Sequence, residues 1–98
     1  MAPHSSTWLI TGASSGLGRS LALGALEAGN KVIGTTRDVS KAEASCPEFS
    51  AQGGIWMSLD PRQKDAFGQV VKCSQEHDVD VLVNNAGYAF IGGVEDTR

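Results

Sequence analysis

Short apolar runs alternate with stretches of helical periodicity along the whole chain. Thr7–Ile10 reads TWLI and predicts a buried strand. Leu17–Ala28 follows, with Leu17, Leu21 and Ala25 spaced for one face of a helix and Gly29-Asn30 as its stop. Lys31–Thr35 predicts a second strand. Ser40-Lys-Ala-Glu43 has the spacing of a capping box and predicts the start of a short helix. Pro47 disfavours helical backbone at Cys46 and should stop that helix early. Ile55–Leu59 predicts a third strand. Pro61–Glu76 predicts a third helix, with Ala66, Val70 and Ser74 on one side and Phe67 and Val71 beside them. Asp80–Asn84, with the apolar centre Val81-Leu82-Val83, predicts a fourth strand.

The resulting order is βαβαβαβ. Strands joined through helices return to the same end of a sheet, so they run parallel. Apolar strands such as Val81-Leu82-Val83 suit a sheet covered on both faces. The expected fold class is therefore α/β, a Rossmann-like doubly wound parallel sheet, present in part, with a ligand at the carboxyl ends of its strands.

Composition narrows the partners. The 98 residues make one domain at most, or part of one. The net charge is −3 with no basic block, which argues against nucleic acid and against an anionic membrane surface. No apolar run approaches about 18 residues, and the N-terminal MAPHSSTW lacks the basic-then-apolar pattern of a secretory signal. The expected location is cytoplasmic. Cys46 and Cys73 have neither metal-ligand spacing nor a C-x-x-C arrangement and are expected to be free, partly buried thiols. His4 is isolated, and His77, within QEHD, reads as a solvated helix end.

The chemistry concentrates in TGASSGLG, residues 11–18, directly after the first strand. Three glycines weaken a strand-to-helix junction unless backbone must come close to something. A helix N-terminus presents unpaired N–H groups and partial positive charge, which suits a pyrophosphate. Gly12 would permit the tight turn, Gly16 the approach of backbone to phosphate, and Gly18 close packing of helix on sheet. Ser14 and Ser15 add hydroxyl donors. Alone, this spacing is equally compatible with a plain glycine turn. The G-x-G-x-x-G fingerprint would need glycine where Ser14 stands. A nucleotide-triphosphatase P-loop would need glycine at Ala13 and lysine at Arg19. Both departures weaken that alternative.

A second signal, Asn84-Asn85-Ala86-Gly87, closes the fourth strand, which topology sets beside the first across the switch-point crevice. Small residues there leave room for a ribose, although N-A-G is also ordinary turn chemistry. Together and in this order, the two motifs resemble the classical branch of the short-chain dehydrogenase/reductase family. The resemblance runs from Thr7 to about Thr97 and identifies the chain as an N-terminal portion, residues 1–98 of a single dinucleotide-binding domain.

That resemblance implies a nicotinamide cofactor held by Gly12, Ser14, Ser15, Gly16, Leu17, Gly18, Asn85, Ala86 and Gly87. Cofactor choice should fall at the end of the second strand, where an acidic residue would accept from a ribose 2′-hydroxyl. Thr36 stands there, followed by Arg37, whose planar fork suits a phosphate. The expectation is NADP. The bland alternative is an Arg37 that is solvated or paired with Asp38. Asp60, before Pro61, is a good N-cap for the third helix; in the family, an aspartate in this place contacts the adenine amino group.

Members of this family carry out hydride transfer on a carbonyl/alcohol pair with a serine and a Tyr-x-x-x-Lys pair. Tyr88 is the only tyrosine here, and Gly92 stands four positions later. The resemblance thus implies an enzyme whose catalytic residues lie elsewhere, a small carbonyl or alcohol substrate, a homo-oligomer for the full-length protein, and an inactive isolated piece. The alternative reading is a non-catalytic dinucleotide-binding or interaction module.

Overall fold

Every strand in the sheet runs parallel to its neighbours, in the order β3-β2-β1-β4. The computed structural model describes residues 6–14, 16–60 and 62–85. Its elements are β1 Thr7–Ile10, α1 Gly16–Glu27, β2 Lys31–Thr36, α2 Val39–Ser45, α3 Pro47–Ala51, β3 Ile55–Ser58, α4 Ala66–Glu76 and β4 Val81–Val83. β1 pairs with β2 on one side (Leu9 opposite Ile33) and with β4 on the other (Leu9 opposite Leu82). The sheet is therefore the expected partial Rossmann-like one, and its topological switch lies at β1.

Alternation along the strands builds two cores. Leu9, Ile33 and Leu59 pack with Ala66, Val70 and Cys73 of α4 on one face. Ile10 and Val32 pack with Ala22 and Ala25 of α1 and with Cys46 and Phe49 on the other. β2 lies inside the sheet and is buried from Val32 to Thr36. Each fully buried side chain of this size stabilises the fold by about 1.5–3 kcal/mol. Phe49 lies against Trp56, ring centroids 4.3 Å apart, and its ring occupies the space that a Cβ at Gly54 would need; at Gly34 that space is taken by the Ala13 methyl, with Phe49 close by. β4 is an edge of the described sheet, and Leu82 is 44 % exposed there.

Four expectations need correction. The buried stripe of α1 is Gly18, Ala22 and Ala25; Leu17 is 67 % exposed, one position off the predicted face. The cap of α2 is Asp38, whose carboxylate accepts from the Lys41 N–H at 3.0 Å, so the Ser40–Glu43 pattern does not begin the helix. Glu43 instead accepts from Ser50 and from the indole N–H of Trp56, tying α2 to α3 and β3. Pro47 does end α2, but it also opens α3. The residue before a proline is kept out of the helical region, as Cys46 is at φ −143° and ψ 67°, while proline is well suited to a first helical position.

The fourth correction concerns α4, which begins at Ala66 with Asp65 as its N-cap. Asp60 does accept from the Arg62 N–H at 3.0 Å, but that bond closes a turn. A side chain that bonds local backbone competes with helix in this way. The smaller expectations fare better. Cys46 and Cys73 are free thiols, more fully buried than predicted. His77 is the exposed C-cap of α4.

Candidate functional site

The glycine loop leaves β1 and is tied to both neighbouring strands. Thr11 N–H donates to Val83 O at 3.0 Å, on the β4 side. Gly12 N–H donates to Thr35 Oγ1 at 3.2 Å, and Ala13 N–H to Thr35 O at 3.0 Å, on the β2 side. Gly12 takes φ +65° and Gly16 takes φ +58°, the left-handed region that favours glycine. The loop thus turns sharply twice before α1 starts at Gly16.

Gly18 is the steric centre of this end. A Cβ there would collide with Gly12 O and would sit 2.5 Å from Asn85 Nδ2. Asn85 in turn donates to Gly12 O at 3.2 Å. The first turn of α1, the loop and the end of β4 meet at one point with no room for a methyl group. Asn84 supports the same junction, its Oδ1 accepting from Thr11 Oγ1 at 3.0 Å. Neither Thr11 nor Thr35 was singled out from the sequence. A threonine buried at the end of an apolar strand is the signal that could have found them.

Beyond the loop, a crevice of about 1200 Å³ opens at the carboxyl ends of β1, β2 and β3. Gly12, Ser14, Arg37, Asp60 and Asn85 line it, so five of the predicted residues come together. Gly16, Leu17 and Gly18 form the first turn of α1 and are not among its described lining residues. Ser15, Ala86 and Gly87 lie outside the described residues. The sequence reading missed Arg19, Lys41 and Arg62, which also line the crevice. Four cationic side chains therefore face two acidic ones, Asp38 and Asp60, in a chain of net charge −3. The local field favours an anion although the molecule as a whole is acidic.

Both acids are engaged. Asp38 caps α2 through Lys41 N–H, and the ion pair among the described residues is Asp60–Arg62. Arg62 Nε reaches Asp60 Oδ1 and Arg62 Nη2 reaches Oδ2, each at 3.0 Å. The Arg62 hydrogen bonds hold the Asp60 carboxyl down to about 2, with a smaller contribution from the charge of Arg37. Thr36 is buried, and its hydroxyl accepts from Asp38 N–H at 3.3 Å, forming the turn into α2. The acidic side chain nearest the end of β2 is thus Asp38, which lines the crevice and has one carboxylate oxygen taken up by the cap of α2.

The sequence and the fold are shared with known proteins. The sequence model described as short chain dehydrogenase matches residues 6–98. The chain belongs to that family. Oxidoreductase claN of Passalora fulva is 52 % identical over 91 residues, which cover 92 % of this chain and 42 % of claN. A metagenomic short-chain oxidoreductase solved in complex with NADP superposes with a TM-score of 0.72 at 35 % identity, over 90 % of this chain and 41 % of that one. A short-chain dehydrogenase from Streptomyces avermitilis gives 0.71 at 36 % identity, over 84 % and 31 %. The chain spans less than half the length of each of these short-chain relatives. Among the described residues, no helix is long and apolar enough to cross a membrane.

Proposed function

We propose that this chain holds the adenosine and pyrophosphate part of NADP(H) for an oxidoreductase that moves a hydride between the nicotinamide and a small carbonyl or alcohol. The observation that carries the reading is the end of β2. Arg37 and Lys41 line the crevice there, while Thr36 and Asp38 direct their oxygens into the turn and the cap of α2. Two cations beside a single carboxylate that is engaged in a helix cap, with a threonine at the last position of the strand, suit a 2′-phosphate better than a 2′-hydroxyl. The NADP complex of the metagenomic relative supports the same choice.

The residues present fit such a ligand. Gly12 lines the crevice, and the close packing of Gly18 on its carbonyl holds the loop where its backbone can come close to a pyrophosphate. Ser14, Ser15, Gly16, Leu17 and Gly18 complete that cradle. Asp60 accepts from the adenine amino group, and Asn85, Ala86 and Gly87 bound the ribose. When bound, the nicotinamide supplies or accepts the hydride. The protein groups that move the proton lie outside these 98 residues, since Tyr88 has Gly92 where a lysine is needed. The complete protein acts as a homo-oligomer in the cytoplasm under this reading.

The variant Arg37→Asp in the complete protein tests the cofactor assignment. NADPH affinity should fall about 10- to 100-fold relative to NADH, the size expected for a lost hydrogen-bonded charge contact. An unchanged ratio would overturn the assignment of NADP.

A further inference from the structure

Two threonines stand together at the end of β2, and their hydroxyls are used differently. Thr36 Oγ1 accepts from Asp38 N–H at 3.3 Å and donates to Asp38 O at 3.4 Å, so both of its roles are spent in the turn into α2. Thr35 is only 2 % exposed, yet it lines the crevice. Its Oγ1 lies 3.2 Å from Gly12 N. A backbone N–H can only donate, so Thr35 is the acceptor in that bond. The proton of its own hydroxyl is left over, and among the described residues it meets no acceptor. A buried polar group with a role unfilled is uncommon in a folded chain and calls for a partner from outside it.

The place of Thr35 decides what that partner is. Thr35 is bonded to Gly12 of the loop and stands two residues before Arg37, and all three line the crevice. On the dinucleotide reading above, the pyrophosphate lies at the loop and the 2′-phosphate at Arg37. Both are esters of one ribose, so that ribose is held between the two anchors, at Thr35. Its 2′ and 5′ oxygens are esterified, and its ring oxygen is a poor acceptor. The 3′-hydroxyl is the good acceptor that remains.

We infer that Thr35 binds the ribose: its Oγ1 accepts from Gly12 N–H and donates its proton to the 3′-oxygen of the sugar. One hydroxyl thus ties the shape of the glycine loop to the sugar that the loop serves. The inference rests on the dinucleotide reading and adds to it a residue outside both sequence motifs. Serine can make the same two bonds, while valine has the same shape and makes neither.

The test titrates the complete protein with NADPH, followed by nicotinamide fluorescence, and displaces it with 2′-AMP or with 3′-deoxy-2′-AMP. The wild type should bind 2′-AMP about 3- to 10-fold more tightly than the 3′-deoxy analogue, the worth of one net hydrogen bond. Thr35→Val should bring the two compounds to within about twofold, and Thr35→Ser should restore the gap. Thr35→Ala serves in place of valine if that variant does not fold, with the same result expected. A Thr35 that only holds Gly12 in place would leave the gap in Thr35→Val at its wild-type size, and that result overturns the inference. So do equal wild-type affinities for the two compounds while NADPH still binds. If NADPH itself does not bind, the dinucleotide reading falls and this inference falls with it.

Discussion

The two ends of the crevice are made of different material. The loop end is backbone and short polar groups: Thr11, Gly12, Thr35, Asn84 and Asn85, joined by bonds of 3.0–3.2 Å, with no space for a methyl group at the adjoining Gly18. The outer rim is long charged side chains, Arg37, Lys41 and Arg62, on exposed turns and the first turn of α2. The first end has its shape dictated by close packing, so any added atom is felt. The second has its chemistry dictated by charge, and its shape can adjust. Substitutions should therefore cost stability at the loop and selectivity at the rim.

Gly18→Ala is the sharpest way to break this contrast. The added Cβ meets the Gly12 carbonyl, which cannot swing away without disturbing the loop. Denaturant unfolding of the complete protein should show a loss of about 1–3 kcal/mol, the usual result of overpacking, together with weakened dinucleotide binding. Gly24→Ala is the control within the same helix. A Cβ at Gly24 meets nothing within 4 Å, so alanine there should stabilise by about 0.5–1 kcal/mol. Equal effects at the two positions would mean that helix propensity, and not the contact with the loop, governs this end.

The smallest effect belongs to the rim. The carboxyl of Asp60 is held down to about 2 in the folded chain, below its ordinary value of 3.8. The folded state thus takes up the proton less readily than the unfolded one. The Asp60–Arg62 pair stabilises the fold above about pH 4, and its contribution is lost as pH falls toward about 2. The group faces solvent, so salt should screen the effect. Thermal midpoints of the wild type and Asp60→Asn should differ slightly at neutral pH and converge on acidification. A gap that widens in acid would contradict the sign.

The same contrast governs how much could be read from the sequence. The loop end was legible because its rules are backbone rules: a run of glycines after an apolar strand, and Asn84-Asn85 after another, specify local geometry wherever they occur. Strand positions followed from apolar runs for a similar reason. Helix starts were less legible, because several side chains compete for one cap. Asp38 took the place assigned to Ser40, and Asp60 closed a turn with Arg62 where a helix start was expected. Pro47 carried two messages, a stop for α2 and a start for α3, of which only the first was read. Leu17 shows the limit of periodicity. Leu21 is only half-buried, and the stripe that meets the sheet passes through Gly18, whose lack of a side chain removes it from any apolar pattern. Arg19, Lys41 and Arg62 are far apart in sequence, and only the parallel sheet order gathers them at one crevice.

The central claim is that this crevice selects a dinucleotide carrying a 2′-phosphate. Parallel titrations of the complete wild-type protein with NADPH and NADH test it most directly. The account predicts saturable binding of NADPH at least about tenfold tighter than NADH, a difference of about 1.4 kcal/mol. Equal affinities, or tighter binding of NADH, would contradict it.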